Sequence, residues 1–249
     1  MLQSSNWKRP GWQKLGPILT IVGVVVLALS PLGYRLGWFG IPIALLRLIP
    51  AGVVLCALGL VVSLVAIVRT PSTAGAGARV LPVLAIVLGI AACIVPVAGI
   101  VKGKQVPRIH DITTDTEAPP AFVALAAERS AAPNGLDYAG DKIAALQKAA
   151  YPDLKTVFSP LSPDALFDRA QRAVGGFGWH LAEANRNQLR IEAVDTSLLY
   201  GFKDDIVVLI RSDAGGSRMD VRSASRVGRS DLGANAARIR KFVQRVTSG

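Results

Sequence analysis

The stretch VRSASRVGRSDLGANAARI, Val221 to Ile239, joins a strand to the last helix and carries the densest polar chemistry in the chain. Met219 and Val221 alternate with Arg218, Asp220 and Arg222, the period of two of a half-buried strand. Gly228 breaks that strand. Ser230 or Asp231 can cap a helix, because either side-chain oxygen accepts a free N–H of a first turn. Leu232, Ala236, Ile239, Val243 and Val246 then recur at helical spacing and make one apolar face. Arg238, Arg240, Lys241 and Arg245 fall mainly off that face, several near the helix C-terminus, where the dipole favours cations.

Working outward, Gly215-Gly216 turns the chain into this strand from a buried run, Ile206 to Arg211. Trp179 to Ala184 and Gln188 to Thr196 flank Asn185-Arg186-Asn187, a hairpin signal. Ser162-Pro163-Asp164 starts a helix with proline at its first position. Leu166, Ala170 and Val174 give that helix an apolar side, and Gly175-Gly176 stops it. The order helix, four antiparallel strands, helix predicts a small α+β domain, an antiparallel four-stranded sheet flanked by helices. Phe167, Trp179, Ile191, Ile206, Val208 and Ile239 are its expected core. Upstream, Asp141 to Ala150 reads as a short helix capped by Asp141 and ended by Pro152. Ala124 to Gly140 is Ala-rich, with a turn at Pro133-Asn134-Gly135, and Ile109 to Phe122 has a double proline and no helical period.

The first hundred residues are a different material. Residues 1–101 hold seven Lys or Arg and no acid, whereas residues 102–249 hold the other 21 basic residues and all 17 acids, 21 − 17 = +4. The net charge of +11 therefore belongs largely to an anchor with basic flanks, which argues against a nucleic-acid partner. Leu15 to Leu29, Ala51 to Val68 (extendable back through Ile43 to Ile49) and Val80 to Val101 are apolar runs near the roughly 20 residues a spanning helix needs. Ala28-Leu29-Ser30 resembles a signal-peptide cleavage site, but Pro31 would follow the cut and two more runs come after, so an uncleaved span is the better reading. No lysine or acid lies inside a span, which weighs against a transporter or proton channel. Ala85, Gly89 and Cys93 are small residues four apart that let helices pack closely. Both cysteines, Cys56 and Cys93, fall in these runs, so the C-terminal part can form no disulfide. The division expected is a three-span anchor over 1–105 and an α+β domain over 106–249.

The basic flanks of the spans nearly balance. The first span often dominates, and Lys8, Arg9 and Lys14 precede it against Arg35 behind it. That favours an N-terminus inside, and three spans then put the C-terminal domain outside the cytoplasm of an inner-membrane protein.

Ile109-His110-Asp111-Ile112-Thr113-Thr114-Asp115 with Pro119-Pro120, Tyr151-Pro152, Gly201-Phe202-Lys203-Asp204-Asp205 and above all Val221 to Ile239 resemble a bacterial and plastid family, the domain of unknown function 1499. The resemblance covers roughly the last 140 residues. Members of that family often look exported, which supports the outward reading, and the family implies no reaction, cofactor or ligand.

Four constellations carry possible chemistry. Arg222, Arg226, Arg229 and Arg238 with Asp231 and Asn235 could bind an anion beside a helix N-terminus. The same arginines could instead pair internally with Asp213, Asp220 or Asp231 and tie the helix to the sheet, and this reading weighs more. His110 and Asp111 with Asp115 and Glu117 could form a metal or acid–base cluster, but the one other histidine is His180 in an expected strand. Asp204-Asp205 could hold a hard cation but suits a turn. Ser223, Ser225 and Ser230 lack a G-x-S-x-G elbow, and no phosphate loop or dinucleotide fingerprint is present. The expectation is a multi-pass membrane protein with an envelope-associated binding or structural module, without cofactor or metal. Its partners would be the lipid bilayer and an anionic ligand or envelope protein. The alternative is a hydrolase or metal-dependent enzyme using His110, Asp111 and Asp115.

Overall fold

The computed structural model describes residues 11–74 and 76–248, so Lys8 and Arg9 of the leading flank lie outside the described residues. Two compact units divide the chain, Met1–Val101 and Lys102–Gly249.

In the first unit, α1 (Leu15–Arg35), α2 (Ile41–Ile43), α3 (Ile49–Arg69) and α4 (Val80–Gln105) follow one another. A wide helical turn, Ala44–Leu48, joins α2 to α3 without a break, so Ile41–Arg69 is one helical stretch of 29 residues. Together with Gly11–Arg35 and Gly77–Gln105 it makes three helices, among the described residues, long and apolar enough to cross a membrane. Small residues let α1 and α3 touch. Gly16, Thr20 and Gly23 of α1 are buried with Gly52, Cys56, Gly59 and Ser63 of α3. A Cβ placed on Gly23 would lie 2.8 Å from the Cys56 backbone nitrogen, and one on Gly16 2.8 Å from that of Ser63. Neither backbone leaves room for a side chain. Ala85 and Gly89 of α4 are buried too, and Thr20 lies 3.3 Å from where a Gly89 Cβ would stand.

The second unit is built on one antiparallel sheet. Its strands are β1 (Asp111–Thr113), β2 (Val157–Ser159), β3 (His180–Asn185), β4 (Arg190–Thr196), β5 (Lys203–Asp213) and β6 (Gly216–Ser225). The order is β1-β6-β5-β4-β3, with β2 also pairing β6. The sheet therefore has six strands, not the four expected. The two extra ones are three residues each and sit beside β6, too short for alternation to reveal. The hairpins expected at Asn185-Arg186-Asn187 and Gly215-Gly216 are present, with their loops at 186–189 and 214–215.

Four helices accompany the sheet: α5 (Ala126–Ser130), α6 (Asp141–Ala150), α7 (Pro163–Gly176) and α8 (Ala234–Ser248). Ser162 caps α7 by accepting from the Ala165 N–H at 3.3 Å. At α6 the residue before the helix is Gly140, at φ +74°, and no Asp141 cap bond forms. α8 begins later than expected. Leu232 precedes it with φ +53° and is half exposed, so it does not belong to the helix's apolar face. Asp231 does the capping, with Oδ1 accepting from Gly233 N at 2.8 Å and Oδ2 from Asn235 N at 2.8 Å.

One face of the sheet meets α7 and α8. Ile112, Met219, Val221, Ile206, Val208, Ile210, Ile191 and Ala193 pack there against Phe167, Ala170, Ile239 and Phe242. All six core residues expected from the sequence are buried in this layer. Trp179 closes it, stacked on Phe177 at 4.9 Å and on Phe242 at 5.6 Å.

Candidate functional site

The opposite face of the sheet is charged and yet covered. Strand alternation puts Asp111, Ala224, Asp205 and Val194 in one cross-strand row and Thr113, Arg222, Val207 and Glu192 in the next. Four ionisable side chains thus stand in two adjacent rows. Residues 114–138 run over them, with Phe122, Leu125 and Leu136 packed on Val194, Val207 and Ala224. A buried charge needs a partner, and each of these has one.

Arg222 forks onto Asp111, with Nε to Oδ1 at 2.9 Å and a terminal nitrogen to Oδ2 at 2.7 Å. Its other donors reach the Pro120 carbonyl at 3.3 Å and the Leu136 carbonyl at 3.1 Å, both in the covering segment. Its plane lies 4.9 Å from the Phe122 ring centre and 5.6 Å from that of Tyr138. Arg129, fully buried in α5, lies 4.7 Å from the same Phe122 ring centre. It donates to Asp205 Oδ2 at 3.0 Å and to the carbonyls of Ala224 and Gly135 at 3.0 and 2.8 Å. Burial pulls its guanidinium down from the ordinary arginine range, while Asp205 and Asp111 pull it back. Arg226 grips Asp205 from the other side, with Nε at 3.0 Å from both oxygens. Glu192, also fully buried, accepts from the Val123 and Leu125 amides at 2.7 and 2.9 Å, holding the cover to the sheet.

On the helix side of the sheet, Arg238 of α8 reaches Asp195 at 2.8 Å and Asp204 at 2.6 Å. It also donates to Ser223 Oγ at 3.0 Å and to Asn235 Oδ1. Asn235 is fully buried and donates to the His110 carbonyl and Ser225 Oγ, both at 3.0 Å, and accepts from Ser223 Oγ at 2.7 Å. The end of β6, the start of β1 and the first turn of α8 are thereby tied at one point. Of the six residues proposed as an anion site, Arg222 and Arg226 serve the covered face, while Asp231, Asn235 and Arg238 serve the helix face. Arg229 is exposed and has no ion pair among the described residues.

The expected internal partners differ from those found. Asp220 takes Thr114 at 3.1 Å, Thr156 at 2.6 Å and Arg211 at 3.4 Å, and Asp231 caps α8. The arginines use Asp111, Asp205, Asp195 and Asp204, three of which lie far from them in sequence. Asp204 and Asp205 are strand residues of β5 rather than turn residues. Arg129 and Glu192 escaped the sequence reading. A lone acid inside Arg190-Ile191-Glu192-Ala193-Val194 was the available sign of a buried acceptor.

The residues of the enzyme alternative do not converge. The His110 carbonyl accepts from Ser225 N at 2.9 Å, both Asp111 oxygens are held by Arg222, and Asp115 Oδ1 closes a turn onto Glu117 N and Ala118 N at 3.0 and 2.9 Å. His180 is an exposed residue of β3. Among the described residues no three His, Cys, Asp or Glu gather as a metal site.

Three apolar helices ahead of a six-stranded antiparallel sheet with a covered layer of ion pairs define the class, a membrane protein with a globular α+β part. The family described as "Protein of unknown function (DUF1499)" matches residues 111–246, from the first residue of β1 to the last buried residue of α8, and the chain belongs to that family. No curated protein and no solved structure matches the chain.

Proposed function

We propose that this is a multi-pass protein of the inner membrane whose α+β domain lies outside the cytoplasm and works without catalysis, as an envelope-associated structural or binding module. The observation that carries this reading is the occupation of its polar groups. Arg222, Arg226 and Arg238 are held bidentately or doubly by carboxylates of the same chain, and the cover of residues 114–138 lies over two of those pairs. Groups so held are committed to partners in the same chain, suited to fixing the sheet, its cover and α8 to one another. The outward orientation rests on the basic leading flank and the number of spans.

Titrating the purified full-length protein with phosphate or sulfate and following its thermal unfolding tests the reading. A structural network predicts no specific stabilisation. A ligand present at a hundredfold over its Kd would add about 2.7 kcal/mol. Such a shift in the parent, lost in Arg238→Ala, would instead make Arg222, Arg226, Arg229, Asp231, Asn235 and Arg238 an anion site.

A further inference from the structure

The polar cluster at the start of α8 borders a cleft. The cleft is lined by Phe177 and Trp179, by the Asp195–Arg238 pair, and by Ala234, Ala237 and Lys241 of α8, around a volume of about 290 Å³. That lies near the lower bound of the roughly 300–1,000 Å³ of small-molecule sites, a size for one ring rather than a long chain.

The apolar lining is rigid. Trp179 stacks on Phe177 at 4.9 Å and on Phe242 at 5.6 Å, and it is 9% exposed. Rings held in this way lose little freedom when a ligand settles against them. Ala234, Ala237, Arg238 and Lys241 follow the helical spacing of three and four and share one face of α8. The two alanines leave the space that longer side chains would fill.

The polar lining is only partly engaged. Arg238 holds Asp195 through Oδ2 alone, with Nε at 2.9 Å and a terminal nitrogen at 2.8 Å. Asp195 Oδ1 accepts no hydrogen bond among the described residues, and the side chain is 35% exposed. Lys241 is exposed and has no ion pair among the described residues. The cleft thus offers a free acceptor and a free donor beside an aromatic wall.

The charges select the ligand. An anion drawn to Lys241 meets Asp195 in the same cleft. An ammonium drawn to Asp195 Oδ1 meets the Arg238 guanidinium on the same carboxylate. A neutral ring bearing hydroxyls suffers neither repulsion, because a hydroxyl both donates and accepts. Its polarised C–H bonds suit the negative face of an aromatic ring. A pyranose combines the size, the hydroxyls and the C–H face.

We propose that this cleft binds a neutral pyranose unit, with one hydroxyl donating to Asp195, a second accepting from Lys241 and a C–H face against Phe177 and Trp179. The proposal gives the binding module a ligand class and rests on that reading. Its failure leaves the ion-pair network, which the anion titration tests, untouched.

The test uses the full-length chain with Trp7, Trp12 and Trp38 changed to Phe, so that Trp179 alone reports. The protein is held in phosphatidylcholine vesicles free of glycoside detergent. Methyl glucopyranoside, methyl galactopyranoside and N-acetylglucosamine are each titrated into the tens of millimolar. The expected result is a saturable change of Trp179 emission with at least one of them. Sorbitol, which has hydroxyls but no ring, and glycylglycine, a zwitterion, should give none. Ala237→Leu fills the cleft without touching an ion pair and should abolish the response. Lys241→Ala, at an exposed position that folding does not need, should weaken binding by about tenfold, the loss of one charged hydrogen bond. No saturable change with any of the pyranosides overturns the proposal. So does a response that survives in both variants, or one that glycylglycine produces as strongly, which would make the ligand a peptide.

Discussion

Arg129 and Arg240 illustrate how burial decides what an ion pair is worth. Arg129 and its partner Asp205 have no exposed side-chain surface, while Arg240 and Asp153 are 43% and 51% exposed. Removing one member of a buried pair leaves the other charge in a poorly solvated place, at about 3–5 kcal/mol. An exposed pair returns to water, at about 0–1 kcal/mol. Arg129→Ala leaves Asp205 to Arg226 alone and takes the donor from the Ala224 and Gly135 carbonyls, so it should lower the denaturation midpoint of the second unit, and Arg240→Ala should lower it barely. Equal effects would contradict the geometry. Tyr138 gives a pH prediction. Burial first, and then the Asp111 charge, push its hydroxyl up to about 12 from 10.0. The folded state thus keeps a proton that the unfolded chain releases. The stability tied to that proton is complete below pH 10 and is lost as pH rises from 10 to about 12. Tyr138→Phe removes this loss, so its unfolding curve should be less steep with pH across that window than the parent's.

At the scale of elements, β1 is completed by a side chain. The Gln147 amide of α6 accepts from Thr113 N at 3.0 Å and donates to the Thr113 carbonyl at 2.6 Å, standing in for a neighbouring strand. Gln147→Ala strands both backbone groups, each costing roughly 1–3 kcal/mol. Amide exchange at Thr113 should then rise well above that of the β5–β6 ladder, and unchanged protection there would remove Gln147 from this role. The α1–α3 seam makes a steric prediction. Gly23→Leu cannot be accommodated with the Cys56 backbone 2.8 Å from a Cβ, so crosslinking yield between cysteines placed along α1 and α3 should fall. The sequence made much of this legible where periodicity runs long. The three apolar runs, α7, the two hairpins and the helix-facing core follow from alternation and turn residues. The covered face did not, because Asp111, Glu192 and Asp205 look like surface charges until residues 114–138 close over them. β1 and β2 escaped because three residues give no period. The partners of the arginines escaped because register, not sequence distance, brings Asp111 and Asp205 beside β6.

For the whole molecule, the basic leading flank and three spans predict a C-terminus outside the cytoplasm. Fused at Gly249, a reporter active only after export should work and one active only in the cytoplasm should not; the reverse pattern would refute the orientation. The covered ion pairs act as part of the fold if breaking one costs stability that losing both restores. A double-mutant cycle on Arg222 and Asp111 tests this most directly. It uses the full-length chain with Trp7, Trp12 and Trp38 changed to Phe, so that Trp179, between Phe177 and Phe242, reports unfolding of the second unit alone. Arg222→Met and Asp111→Leu should each lower stability by about 3–5 kcal/mol, and the double variant should recover most of that loss, because apolar groups can replace a buried pair that half a pair cannot. Single variants as stable as the parent, with no coupling between the two positions, would contradict it.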